Sequence, residues 1–184
     1  MTPIKTLFDE TKDIYRTIEK VVTFGNLSED SLAKEIGEYV VTDKLRDNFE
    51  TLLEALDAGL RDSSHEIGVW VSGFYGSGKS SFSKYIGLAL DHKRTIEGKP
   101  LRDRLANRIN SPTIEPLLNS LVKKYDPVVF LIDLSAQQSS SYNLAPVGTI
   151  IYNEVMKWAG YPSEEKMALF ERMLEMDGKL DTFK

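Results

Sequence analysis

An α/β fold with a parallel sheet is the class the sequence predicts, on three observations. Two apolar runs, Ile67–Ser72 and Val128–Leu134, have the length and composition of strands buried on both faces. Around them lie stretches whose apolar residues recur at helical spacing. The first run leads into Gly73-Phe74-Tyr75-Gly76-Ser77-Gly78-Lys79-Ser80, a complete phosphate-binding pattern, which belongs between a strand and a helix.

In chain order, residues 1–60 read as an N-terminal helical segment. Asp9 caps a helix carrying Ile14, Ile18, Val21 and Val22 on one side, and Gly25-Asn26 stops it. Ser28 starts a second helix through Leu32, Ile36 and Tyr39. Thr42 or Asp43 caps a third, with Leu45, Phe49, Leu52, Leu53, Leu56 and Leu60 on its apolar stripe and Gly59 near its end.

Residues 61–184 read as the opening part of a nucleotide-binding domain. A polar linker, 61–66, precedes the first strand, and Ser81–Leu90 continues as the helix after the glycine loop. A charged stretch, Asp91–Arg104, is broken at Lys99-Pro100. Leu101, Leu105 and Ile109 then mark a short helix. Pro112 opens another, through Ile114, Leu117, Leu118, Leu121 and Val122, with Lys123 and Lys124 at its carbonyl end. After the second strand and a polar loop, 135–143, Pro146 and Pro162 open two further helices, and Gly178 ends the last. Two strands are fewer than the roughly four to six of a typical sheet, so the core reads as incomplete and the chain as a piece of a longer protein.

Composition narrows the chemistry. Hydrophobic residues make 41% and charged residues 28% of the 184, an ordinary globular balance rather than a disordered one. The net charge of -5 argues against a broad nucleic-acid surface. No cysteine and only two histidines, His65 and His92, exclude disulfides, thiol chemistry and a histidine-rich zinc centre. No apolar run reaches transmembrane length and no secretory signal opens the chain, so the expected location is cytoplasmic.

The glycine loop carries the expected site. Gly73, Gly76 and Gly78 let the backbone curl with its N–H groups inward, an anion-binding nest backed by a helix N-terminus. Lys79 is placed to reach the β- and γ-phosphates and is the one catalytic candidate, and Ser80 offers a hydroxyl to Mg²⁺. The expected ligand set is Gly73, Gly76, Ser77, Gly78, Lys79, Ser80 and Ser81. Ser81 reads either as a second hydroxyl at the site or as a small residue in the first helical turn. The ligand expected is ATP with Mg²⁺, because the guanine-specific Asn-Lys-x-Asp pattern is absent.

The hydrolytic half is less legible. Asp133 ends an apolar strand but lacks a following Glu, so it reads as a metal-facing acid or as a loop cap. Gln137 and Gln138 read as water-orienting or plain loop residues, and Glu66 and His92 as solvated or satisfied ones. The charged run Asp91–Arg104 reads as surface rather than an arginine finger. Val40, Val41 and Thr42 are candidates for an adenine contact, against core packing and a helix cap.

Ile4–Phe8, Asp13–Val22 and Tyr39–Leu45, followed by Val69–Ser80, together resemble the N-terminus of the BrxC family, the large P-loop ATPases of bacterial BREX phage-defence systems. The resemblance implies an AAA-like P-loop NTPase core acting within a defence complex, with other BREX proteins as partners and self-association through the ATPase domain. DNA contact would be indirect or through other regions, and no membrane contact is implied. It also implies that the family's acidic strand lies beyond Lys184 and that this stretch alone does not turn over ATP. A regulatory nucleotide-binding assembly module without efficient hydrolysis and a small-molecule kinase are the competing functions.

Overall fold

The computed structural model describes residue 24 and residues 28–62, 67–134, 146–162 and 164–183. The expected helix over residues 14–22, Glu66 and the loop holding Gln137 and Gln138 lie outside the described residues.

Helix α1 (Glu29–Glu38) begins where the sequence places it. The Ser28 hydroxyl accepts from the Ser31 N–H at 3.4 Å, and Glu29 and Asp30 sit at the positive end of the helix. Helix α2 (Asp43–Arg61) starts in the same way, with Thr42 Oγ1 accepting from the Leu45 N–H at 3.2 Å. It runs past Gly59. That glycine is needed for close approach: a Cβ there would lie 2.6 Å from Ile67 Cδ1.

Helix α3 (Lys79–Leu90) follows the glycine loop. A two-residue hairpin then pairs β1 (Thr95–Ile96) with β2 (Lys99–Pro100), antiparallel. Its turn residues Glu97 and Gly98 both have positive φ, 55° and 74°, the geometry of a tight hairpin turn. The Glu29 carboxylate holds the hairpin from α1, accepting from Thr95 Oγ1 at 2.7 Å and from the Glu97 N–H at 3.0 Å. In the sequence this element shows only as a charged stretch broken at Lys99-Pro100. The Glu-Gly pair was the available signal.

Helix α4 (Leu101–Ile109) ends at Asn110 in the left-handed region, and α5 (Ile114–Tyr125) ends in the same way at Asp126. The Ser111 and Thr113 hydroxyls between them donate to Glu50 of α2 and hold its carboxyl below the usual carboxylate range. Helices α6 (Val147–Trp158), α7 (Glu165–Met176) and α8 (Leu180–Phe183) close the described chain.

One apolar cluster unites α1 to α5 and the hairpin. Leu32, Ile36, Phe49 and Leu53 meet Phe82, Tyr85 and Leu88 of α3, and Leu105, Ile109, Leu118 and Leu121 of α4 and α5. The Phe49 and Phe82 rings lie 4.5 Å apart, centroid to centroid. Helices α6 to α8 contribute Ile150 and Ala168 as buried apolar residues and leave Trp158, Phe170 and Met173 exposed.

The expected parallel sheet is not found among the described residues, which form helices and the single two-stranded antiparallel hairpin. The α/β class with a P-loop NTPase core is therefore corrected to a mostly helical domain. Residues 67–72 and 128–133 do run without helical structure, but neither finds a ladder partner among the described residues. Val69 stays 51% and Trp70 90% exposed. A β-branched, apolar composition favours an extended, half-buried chain; it does not supply the neighbouring N–H and C=O groups that make a strand part of a sheet. Val129 and Leu131 instead pack on α3, where Gly87 leaves room for them.

No helix among the described residues is long and apolar enough to cross a membrane.

Candidate functional site

The glycine loop forms a turn that leads straight into α3. Gly76 and Gly78 take φ of 77° and 85°, values that an L side chain rarely adopts, so the path of the loop depends on glycine at both places. Gly73 is needed for a different reason. A Cβ there would lie 2.8 Å from Ser77 Oγ. The Ser77 N–H donates to the Phe74 carbonyl at 3.2 Å and closes the turn.

Gly78 is the residue before α3 and offers no side chain to cap it, and the first turn carries no acidic residue. The opening N–H groups of α3 thus lack the partner that Ser28 and Thr42 supply to α1 and α2. Ser80 is exposed and Ser81 half-buried within that turn. Lys79 folds back over the loop, its Nζ donating to the carbonyls of Gly73 at 2.9 Å and Phe74 at 2.7 Å. These two bonds hold an ammonium above the loop. Phe74 and Tyr75 project into solvent, 91% and 100% exposed.

Beside the loop lies a cleft of about 890 Å³ between α2 and the extended segment. Leu45, Asn48 and Leu52 line one wall, Val69 and Val71 the other, and Lys79 stands at its end. Val40 and Thr42 reach this cleft, while Val41 packs against the core. Thr42 also caps α2, so the capping role expected of it is fulfilled. Asn48 was not picked out from the sequence, because an isolated polar residue on an amphipathic helix carries no signal of its own.

Helix α3 is anchored from behind by a polar contact within the core. Lys84 is fully buried, and its Nζ donates to Glu35 Oε2 at 2.8 Å, joining α3 to α1. The Tyr85 hydroxyl donates to the same oxygen at 3.3 Å. The Tyr39 ring stands edge-on to that of Tyr85 with centroids 4.7 Å apart, and its buried hydroxyl has no partner among the described residues. Burial pushes the Tyr39 phenol up to about 12 and raises Tyr85 further, where the nearby Glu35 charge adds to the effect. Glu35 and Lys84 are 49 residues apart, so sequence spacing could not reveal the pair.

The other expected site residues do not converge. Asp133 is exposed. His92 Nδ1 lies 3.0 Å from Asp126 Oδ1, and Arg94 pairs with Asp91 and Arg104 with Glu97, so the charged run lies at the surface, as expected of it. No group of three or more acidic or histidine side chains able to hold a metal ion occurs among the described residues. With neither the nucleotide-binding sheet nor a metal-binding cluster present among the described residues, the assignment of ATP and Mg²⁺ as ligands and of an ATPase function is overturned.

The resemblance to the BrxC family is corrected on the same ground. Its implied parallel-sheet core is replaced by helices and one antiparallel hairpin among the described residues. No family model matches the chain, and no solved structure matches it.

Proposed function

We propose that this helical domain is a binding module whose loop, residues 73–80, takes up a phosphate-type oxyanion. The observation that carries the reading is the uncapped start of α3, opening from a glycine turn with an ammonium held over it. Orphan N–H groups at a helix start attract negative charge, and the partial positive charge of the helix adds to them. Lys79 supplies a full charge at the same end. An anion would draw its Nζ from the two carbonyls and replace neutral acceptors with a charged one, the stronger bond. Gly73, Gly76, Ser77, Gly78, Lys79, Ser80 and Ser81 are the contact set, with Lys79 the residue expected to matter most.

The test is titration with inorganic phosphate at fixed ionic strength, followed through backbone amide resonances, with chloride as control. Phosphate should shift residues 76–81 saturably while chloride does not. Lys79→Ala should weaken binding by about tenfold or more, in keeping with a charge-assisted hydrogen bond of roughly 1.5–3 kcal/mol. Absence of a saturable shift, or equal affinity in Lys79→Ala, would overturn the reading.

A further inference from the structure

We infer that the cleft beside the glycine loop takes a soluble phosphate monoester of an apolar alcohol, its phosphate on residues 73–80 and its apolar body along α2. This rests on the loop taking up an oxyanion, and it adds the body that the oxyanion carries. The cleft measures about 890 Å³, within the roughly 300–1,000 Å³ that holds small organic ligands and far more than bare phosphate occupies.

Charge sets the sign of the ligand. The chain has 28 acidic against 23 basic residues, yet no carboxylate lines this cleft, and its charged side chains are Lys44 and Lys79. A smaller cleft of about 350 Å³ against α1 has Asp30, Glu38 and Glu97 in its wall, so an acid-free lining is not the rule in this chain. The path of the backbone brings the two lysines to one end. Ile67 lies against Gly59 near the end of α2, and Phe82, just beyond the glycine loop, meets Phe49 nearer its start. The extended segment therefore runs back along α2 and delivers the loop to the end where Lys44 stands. Ala55 and Gly68 line the other end. Between the two ends, Leu45 and Leu52 stand opposite Val69 and Val71, which share one face of the extended segment. From residue 44 to residue 55 the helix rises about 16 Å, enough for an apolar body behind a charged head. Val69 and Val71 are 51% and 37% exposed, so a body laid against them removes apolar surface from water and adds to the affinity of the head.

Titration of the whole chain with naphthyl phosphate, inorganic phosphate and naphthol at fixed ionic strength, read through amide and methyl resonances, tests the inference. Naphthyl phosphate should bind at least about tenfold tighter than inorganic phosphate and shift the methyls of Leu45, Leu52, Val69 and Val71, with naphthol the weaker ligand. Ala55→Phe fills the far end of the cleft from an exposed helix position. It should bring the ester to within about threefold of inorganic phosphate, leaving phosphate binding and far-ultraviolet circular dichroism unchanged. If phosphate binds and the ester binds no tighter, or binds tighter without moving those methyls, the inference is overturned and the oxyanion reading stands. Naphthol binding as tightly as its ester would overturn the inference as well. Saturable binding of neither ester nor phosphate would overturn both.

Discussion

Replacing Glu35 with Ala tests how α3, and the loop at its start, is held in place. The change leaves the Lys84 ammonium in the core without its carboxylate, and the Lys84 side chain is only 1% exposed. Removing one partner of a fully buried pair costs about 3–5 kcal/mol. The Glu35 side chain is 27% exposed, so water already screens part of the attraction and the cost falls toward the lower end. Losing the acceptor of the Tyr85 hydroxyl adds a smaller amount, and about 3 kcal/mol is the working figure. For a chain of this size each kcal/mol lowers Tm by about 2–4 °C, so Glu35→Ala should melt about 6–12 °C below wild type. Lys84→Met fills the same space without a charge and lets Glu35 turn to solvent, so it should lie within about 1 kcal/mol of wild type. The double variant should match Lys84→Met. Thermal melts followed by circular dichroism read all three. Should Glu35→Ala melt with wild type, or Lys84→Met fall as far as Glu35→Ala, the buried pair does not fix α3 and the reasoning fails.

Alkaline unfolding follows from the two buried phenols. Tyr39 is raised to about 12 in the fold, and Tyr85 is raised further, chiefly by burial. The unfolded value is about 10, so their contribution is whole below that pH and is lost as pH rises through the folded values. Tm should therefore fall above pH about 10, and Tyr39→Phe should flatten the fall; an unchanged slope in that variant would count against it. At the end of α2, Gly59→Ala should destabilise by about 1–3 kcal/mol, because the new methyl meets Ile67 at 2.6 Å. Pairing it with Ile67→Ala should restore most of that loss in urea melts. A single variant as stable as wild type would show that α2 and the extended segment do not touch there.

Local signals in the chain were enough for the starts of α1 and α2. Ser28 and Thr42 head their helices because a side-chain oxygen can bond an N–H three residues on, a contact that needs no distant partner. The leucine stripe of α2 and the glycine pattern of the loop are legible for the same reason, since each is written within a few turns of chain. The order Gly73 to Ser80 likewise determined that a tight loop would open α3.

Only the tertiary structure decided what those elements assemble into. Val69, Trp70 and Val71 look like a buried strand in one dimension, but burial and pairing depend on a neighbour that no local pattern can summon. The Lys84–Glu35 contact, the cleft behind the glycine loop and the space that Gly59 leaves for Ile67 all join residues remote in sequence. Backbone hydrogen bonding within a helix is satisfied by the segment itself, whereas a sheet, a salt bridge in the core or a cleft requires two segments to meet.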